Sequence, residues 1–305
     1  MGLSNDGLRL PPPWITPAAG LPDREVPPVI IIQRRGLLYP AYVQDYLDRV
    51  TAADVAAGDS NGLELGVTDA ISSFLQDLVS ISYLGVSANV ISQAASVIKA
   101  SPILAGARTR AGSLVPVVGT APTEFGTAGG WNYNRKTGLQ GNGTDNYLNA
   151  NRLQNADAQN NFHMSLYSSN GISGVAMGSG PTDATAVPAD AISAGPGASD
   201  LRFRSRYGAA AETDFGDRTA AGFYGHSRTL STGFTARSGG SNTSITKASS
   251  APGANPMHIF RRPFSTTPVW STSRIAFYSI GGALTLSLLE ARVLTLINAF
   301  AAAIP

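Results

Sequence analysis

The spacing of apolar residues changes along this chain. Between residues 41 and 100 apolar side chains recur at three and four positions, and beyond about residue 130 they alternate with a period of two. The first period is that of an amphipathic helix, and the second is that of a half-buried β-strand. The pattern therefore predicts a helical region followed by a longer β region.

The helical region contains three apolar stripes. Pro40 stands at a first-turn position before the first stripe, and Asn61-Gly62 marks a turn before the second. The stripes consist of Val43, Tyr46, Leu47 and Val50, then Val67, Ile71, Phe74, Leu75 and Leu78, and finally residues 90–100. They are most simply the core faces of a small α-helical subdomain, although a partner-binding groove would show the same periodicity.

The β region is divided into many short segments by Gly, Pro, Asn and Ser. The predicted strands are residues 131–133, 147–148, 161–168, 174–177, 201–207, 221–226, 231–237, 244–248, 258–262 and 273–279. Short strands at this spacing predict an antiparallel β-sandwich. Residues 112–130 are predicted to be a linker, and residues 178–199, rich in Pro, Ala, Asp and Gly, to be a long loop.

The N-terminal residues have a different composition from the rest. Prolines crowd residues 2–28, and a short β-prone run follows at residues 29–32. Because proline fixes φ and lacks an amide donor, this segment is predicted to be an extended arm. A disordered leader is one alternative. The other is an arm laid across a neighbouring subunit and anchored by Pro12, Trp14, Ile30 and Ile31, which the apolar side chains favour.

The chain is predicted to end in a helix. Ser287 and Glu290 have the spacing of a capping box, and an apolar face follows at Leu289, Val293, Leu296, Ile297 and Phe300. Because Glu290 and Arg292 interrupt the apolar tail, insertion into a membrane is not expected. The predicted organisation is an arm over residues 1–38, a helical subdomain over 39–112, and a β-sandwich with its closing helix over 113–305.

Composition excludes several classes of function. The 305 residues contain no cysteine, which excludes disulfides and thiolate metal sites. Charged residues make up 14% of the chain, against about 25% in average domains. The formal net charge of +2 provides no strong field to recruit nucleic acid. Nucleic-acid binding is therefore not expected, and no cofactor is indicated.

Two stretches carry a resemblance to a known family. They are residues 138–148, GLQGNGTDNYL, and residues 274–297, RIAFYSIGGALTLSLLEARVLTLI. Together they resemble the concanavalin-A-like (laminin-G-like) jelly-roll domain of tailed-bacteriophage virion proteins. The resemblance covers residues 114–304, and a weaker similarity through residues 99–112 reaches back to Tyr39. It implies a mainly β, concanavalin-like jelly roll in a protein that is assembled into a virion in the host cytoplasm.

The residues that could carry chemistry are scattered. His163, His226 and His258 each lie alone in a predicted strand, where a histidine is usually packed and not catalytic. The paired carboxylates that a glycosidase needs are not found at strand spacing, so the chain is predicted not to be an enzyme. Asn142 with Asp145, or Asp183 with Asp190, could ligate calcium, but turn formation is the simpler role. No metal or catalytic residue is predicted.

Candidate contact residues lie on the predicted strands. Arg202, Arg204 and Arg206 alternate and should share one sheet face, where they would bind an anionic glycan or a neighbouring subunit, or simply meet solvent. Arg261-Arg262 form a second basic group. Aromatic rings could stack on sugars or pack in the core, and the candidates are Trp131, Tyr133, Tyr147, Tyr207 and Tyr224.

The leading hypothesis is a non-enzymatic structural component of a tailed-phage virion, either a capsid decoration protein or a tail, baseplate or fibre protein. The arm would anchor it to other virion proteins, and the β-sandwich would be displayed on the surface. The alternative is a glycan-binding, lectin-like module that recognises the host cell surface. A glycan hydrolase is the third hypothesis. A homo-oligomer, with a trimer as first choice, is expected because virion components repeat by symmetry.

Overall fold

The computed structural model describes residues 39–180, 189–195, 197, 199–208, 216–262 and 269–305. The predicted arm, with Pro12, Trp14, Ile30 and Ile31, lies outside these residues. Residues 39–305 form one compact unit. The helices are α1 (Ala41–Ala56), α2 (Leu65–Ser80), α3 (Arg110–Ser113) and α4 (Leu286–Ala303).

The strands run antiparallel and are short. They are β1 (Gly85–Ser87), β2 (Val90–Ser92), β3 (Ile98–Pro102), β4 (Pro116–Val118), β5 (Thr123–Phe125), β6 (Asn132–Asn134), β7 (Gly138–Gln140), β8 (Tyr147–Leu153), β9 (Phe162–Ser168), β10 (Val175–Ser179), β11 (Ala189–Ala194), β12 (Leu201–Tyr207), β13 (Gly222–Arg228), β14 (Gly233–Ser238), β15 (Ser241–Thr246), β16 (Pro256–Ile259), β17 (Arg261–Arg262), β18 (Val269–Trp270) and β19 (Arg274–Gly281). The predicted mainly β class is confirmed.

Two antiparallel sheets form the sandwich. The six-stranded sheet has the order β12-β11-β10-β16-β8-β5. The nine-stranded sheet has the order β15-β14-β13-β9-β19-β3-β4, with β7 paired to β19 and β6 paired to β7. Side chains from both inner faces, including Leu148, Met164 and Ile192, make one apolar core between the sheets.

A helical layer covers the other face of the nine-stranded sheet. Neighbouring residues of β13 show its two sides, since Tyr224 packs between the sheets while Phe223 packs with the helices. Phe277 of β19 meets Phe74 of α2 edge to face, with ring centroids 5.7 Å apart. The apolar stripes predicted for α1, α2 and α4 are all buried in this layer. Those three predictions are confirmed.

α4 is the described helix that is long and apolar enough to cross a membrane by length and composition alone. In this structure Leu289, Val293 and Phe300 are buried in the helical layer. Glu290 and Arg292 are paired with Arg237 and Asp77. The apolar length of α4 is therefore used for packing against α2 and the nine-stranded sheet.

The helix predicted over residues 90–100 is wrong. Ala88 and Asn89 both have positive φ, 47° and 67°, and join β1 to β2 as a two-residue hairpin turn. β3 then pairs with β19 and β4. Because β3 belongs to the nine-stranded sheet, the boundary expected at residues 112/113 does not separate two compact units.

Three further differences concern segment ends and loops. Residues 116–118 and 123–125 of the predicted linker are β4 and β5, and residues 189–194 of the predicted loop are the buried strand β11. The capping box is also wrong, because α4 begins at Leu286 behind Thr285 and no side chain caps it. The carboxylate of Glu290 instead accepts a charge-assisted hydrogen bond from Arg237 Nε.

We predict that Phe277→Ala lowers the free energy of unfolding by about 3–5 kcal/mol, because the change removes a fully buried ring and leaves a cavity under α2. Urea denaturation followed by circular dichroism measures the change. Leu230→Ala is the control, since Leu230 is 62% exposed and its loss should alter stability by about 0.5 kcal/mol at most. A loss below about 1 kcal/mol in Phe277→Ala would contradict the packing of the helical layer.

Candidate functional site

The helical layer covers the central strands of the nine-stranded sheet and leaves the outer face of the six-stranded sheet open. Among the described residues, no helix covers the outer side of the six-stranded sheet. The strands β5, β8 and β16 lie side by side there, and the β17–β18 hairpin follows β16. Side chains at the centre of this sheet therefore point outward without a second layer of secondary structure above them.

Strand register determines which side chains occupy this face. Leu148 of β8 is buried in the core, so its neighbours Tyr147 and Asn149 point outward. Phe125 pairs directly with Tyr147, and Thr123 pairs with Asn149. His258 of β16 stands opposite Asn149 on the other side. Residues from three strands are thus brought to one surface.

The aromatic rings on this surface are in contact. Phe125 and Tyr147 are stacked at 4.7 Å with an interplanar angle of 7°. His258 lies 4.8 Å and Trp270 of β18 lies 5.9 Å from the Tyr147 ring. Phe125 is 41% exposed. We call Phe125, Tyr147 and Trp270 the aromatic patch.

Arg261 lies on the aromatic patch. Its guanidinium carbon is 4.2 Å from the centre of the Tyr147 ring and 4.9 Å from that of Trp270, close enough for cation–π attraction to both. Burial, followed by the charge of Arg261, lowers the pKa of His258 to about 4. At neutral pH the patch therefore carries the positive charge of Arg261 beside an uncharged imidazole.

A tight turn borders the six-stranded sheet at the start of β8. The side-chain oxygen of Asn142 accepts hydrogen bonds from the amides of Thr144, Asp145 and Asn146. Asp145 accepts from both the amide and the hydroxyl of Thr127. These bonds lower the pKa of Asp145 and use its oxygens for turn formation. Asp183 lies outside the described residues. Within the described residues, no three side chains that could ligate a metal ion lie together.

The three arginines predicted to share a face do not share one. The pairing of β11 with β12 shifts between Ala189 and Ala191, and Arg206 has a φ of +58°. This bulge breaks the alternation and turns Arg206 into the core, where it lies 3.8 Å from the Phe162 ring centre. Arg204 is buried and Arg202 is partly exposed. The predicted surface role is therefore wrong for Arg206.

The buried charge of Arg206 is compensated inside the protein. Its Nη1 lies 3.3 Å from a carboxylate oxygen of Asp190, and its backbone amide donates to the other oxygen at 2.8 Å. Gln154 donates to Asp190 at 2.8 Å, and its carbonyl accepts from Arg206 Nη1. Asp190 thus belongs to a structural ion pair and not to a calcium site.

Trp131 and Tyr133 also lie apart from the aromatic patch. Trp131, which is partly exposed, meets the buried ring of Phe260 edge to face at 5.6 Å. The hydroxyl of Tyr133 donates to the carbonyl of Ala107 at 2.7 Å, and burial raises its pKa far above the usual value. Both rings therefore pack against the core, which was the alternative to stacking on a sugar.

The histidines do not form a catalytic group with one another. His163 is fully buried, with Nδ1 2.5 Å from the carbonyl of Gly282 and Nε2 2.9 Å from Ser279 Oγ. His226 is fully buried among the rings of Phe162, Phe203 and Phe234. Burial lowers the pKa of His163 to about 4 and that of His226 well below its usual value.

Sequence reasoning found part of the candidate site. Tyr147 was a candidate for sugar stacking, and Arg261 belonged to a noted basic pair. Phe125 was missed because the segment around it, rich in Gly, Pro and Thr, resembles a linker. Trp270 was missed because β18 has only two residues and shows no period. The alternation of Thr, Glu and Phe in β5 was the feature of the sequence that could have indicated a strand there.

No protein-family model matches the chain, and no curated protein matches it. Solved structures do. One is domain 4 of AbnA, a GH43 extracellular arabinanase from Geobacillus stearothermophilus in complex with arabinotriose, at 15% identity and a TM-score of 0.36 over 57% of this chain and 82% of that chain. Another is the Trypanosoma rangeli sialidase, at 13% identity and a TM-score of 0.40 over 76% of this chain; the match spans only 38% of the sialidase.

These comparisons correct one expectation. The chain was predicted not to be an enzyme, whereas the similar structures come from an arabinanase, a sialidase and a sialidase mutant with trans-sialidase activity. The prediction that the chain is not an enzyme is therefore withdrawn. At identities of 11–15% the likeness concerns the fold, and no catalytic residue is carried over. None of these structures comes from a phage particle, so the virion setting stays a prediction.

We predict that Asp190→Asn lowers the free energy of unfolding by about 3–5 kcal/mol, because it leaves the Arg206 charge buried without its counter-ion. Chemical denaturation measures the loss. Asp48→Asn on the exposed side of α1 is the matched control, with an expected change of about 0.5 kcal/mol or less. Equal stability of the two variants would show that the buried pair does not stabilise the fold.

We predict that the protein loses stability as the pH falls from about 6.5 to about 4. The unfolded chain binds protons on histidine at about pH 6.5, whereas buried His163 and His226 bind them only at lower pH. Stability is therefore complete above about pH 6.5 and decreases below it, by about 3 kcal/mol at pH 4 for His163. Melting temperatures measured across this range should depend less steeply on pH in His163→Asn and His226→Phe. If the melting temperatures of the variants and of the unaltered protein depend equally on pH, protonation of these two histidines does not cause the loss of stability.

Proposed function

We propose that residues 39–305 form a glycan-binding module and that the glycan lies across the aromatic patch. The observation that supports this most directly is the cluster of three contacting rings on the outer face of the six-stranded sheet, with Phe125 41% exposed. Large apolar groups held in a polar surface are a feature of binding sites. A ring plane also offers an apolar face to the C–H side of a sugar.

Polar groups suited to sugar hydroxyls border the rings. Asn149 and Thr123 project from the same face as Tyr147 and Phe125, and Asn151 follows on β8. Thr123 Oγ1 and the Asn151 side chain are hydrogen-bonded to each other at 2.9 Å. Amides and hydroxyls both donate and accept, as sugar hydroxyls do, so this row fits a chain of sugar units better than an apolar ligand.

We further propose the setting implied by the sequence resemblance. A tailed-phage virion would carry copies of this chain attached to other virion proteins, with a homo-oligomer such as a trimer presenting several aromatic patches to a cell-surface glycan. Repetition would raise the overall affinity of a weak site through effective concentration. Deleting residues 2–28 tests the attachment, since it should abolish incorporation into particles while leaving glycan binding intact.

We predict that Phe125→Ala and Trp270→Ala each weaken glycan binding by about tenfold, a loss of about 1.4 kcal/mol, because each removes a stacking surface. Affinity electrophoresis in gels containing capsular polysaccharides and lipopolysaccharides, neutral and acidic, measures retardation of the folded protein. Leu288→Ala is the control, because Leu288 is 45% exposed on α4 in the helical layer.

Two measurements on the same polysaccharides, gel retardation and sugar release, distinguish binding from cleavage. Binding at the aromatic patch is contradicted if both patch variants are retarded as strongly as the unaltered protein, or if no polysaccharide retards any of them. Sugars released from the retained polysaccharides, measured as new reducing ends, would show hydrolysis. Loss of that release in Phe125→Ala would place the cleaved glycan on the same surface.

A further inference from the structure

We infer that the glycan bound by this surface is acidic, and that Arg261 binds its carboxylate or sulfate group. The inference rests on the proposed function and adds the chemical class of the ligand. It begins from the position of Arg261, which is partly exposed and whose guanidinium carbon lies 4.2 Å from the ring centre of Tyr147 and 4.9 Å from that of Trp270. The guanidinium thus lies within the surface proposed to contact the sugar.

Arg261 differs from several other arginines that are partly or wholly buried in the described structure. Arg135 is paired with Glu64, Arg152 with Asp157, and Arg237 with Glu290. Arg228 has no carboxylate, but its guanidinium donates to the carbonyls of Ser205, Leu230, Gly233 and Lys247. These ion pairs and hydrogen bonds offset the free-energy cost of burying a guanidinium.

Arg261 has no such partner within the described residues. No carboxylate lies within ion-pair distance of it, and none of its nitrogens donates a hydrogen bond there. Its Nε is buried without an acceptor, and so is Nδ1 of the adjacent His258. The Nε atoms of Arg206 and Arg292 also lack an acceptor, but each of those guanidiniums forms an ion pair through another nitrogen. The guanidinium of Arg261 has no such pair among the described residues, so its nitrogens are available to oxygen atoms supplied by a ligand.

The geometry of the guanidinium specifies the kind of oxygen. Its planar fork matches the two oxygens of a carboxylate or a sulfate, and charge-assisted bonds of this type are stronger than neutral ones. Contact with two rings restricts the guanidinium before a ligand arrives, which reduces the entropy lost on binding. An acidic sugar would therefore stack on the patch and place its anion at Arg261.

The experiment uses three forms of one polysaccharide. Affinity electrophoresis of the full chain is run in gels containing dextran, carboxymethyl-dextran or dextran sulfate, which share a backbone and differ in charge. We expect the two charged forms to retard the protein more than dextran, with Kd lower on the order of tenfold. Arg261→Gln should lose that preference, and Arg261→Lys should keep part of it. Comparison of the two charged gels distinguishes carboxylate from sulfate.

Arg49→Gln is the matched control. Arg49 also lies over a tyrosine ring, 5.5 Å from the centre of Tyr46, but it is on α1 in the helical layer. The control therefore removes the same charge from the opposite side of the sandwich and should retain the preference for charged dextran. Thermal melting of each variant shows that the fold is kept, and Arg261→Lys supplies a second test where Arg261→Gln is destabilised.

The inference and the proposed function fail differently. Equal retardation by dextran and its charged forms, an unchanged preference in Arg261→Gln, an equal loss in Arg49→Gln, or no retardation by any of the three gels would each overturn the acidic-ligand assignment. The proposed function survives such a result if Phe125→Ala still weakens binding to a neutral polysaccharide. It fails only when the patch variants bind every glycan as the unaltered protein does.

Discussion

The contact between the helical layer and the nine-stranded sheet determines which surfaces of this protein are available. Phe74 on Phe277, together with the stripes of α1, α2 and α4, buries the outer side of the central strands of that sheet, while its edge strands β14 and β15 stay partly exposed. Nearly every residue of β9 is consequently buried. The six-stranded sheet has no helix above its outer side in the described structure, and the aromatic patch lies on that side.

The interior depends on a second constraint, the pairing of buried charges. Arg206 and Asp190 lie in the core, where removing one charge of the pair lowers the free energy of unfolding by about 3–5 kcal/mol. The bulge in β12 makes their contact possible by turning Arg206 inward. Arg261, by contrast, has no carboxylate within ion-pair distance among the described residues. Arg206 therefore stabilises the interior, and Arg261 is the arginine for which we propose a ligand.

The aromatic patch illustrates how a site arises from strand pairing. Its members come from β5, β8 and β18, which are far apart in the chain, and Arg261 comes from β17. Register places Phe125 against Tyr147, and the β17–β18 hairpin brings Trp270 and Arg261 to the same ring. Each segment alone is too short to indicate a site, since one ring in one strand is usually a packing residue.

The sequence by itself determined much of the secondary structure. The stripes of α1, α2 and α4 and most strands of the sandwich follow from it, because burial of one face requires a regular pattern. Only the tertiary structure decided the rest. Residues 98–100 became part of β3 because β19 offers that strand an edge, residues 90–92 pair with β1, and Arg206 left its expected face through a bulge. Local pattern does not encode the pairing of distant strands, and both the domain boundary and the aromatic patch depend on that pairing.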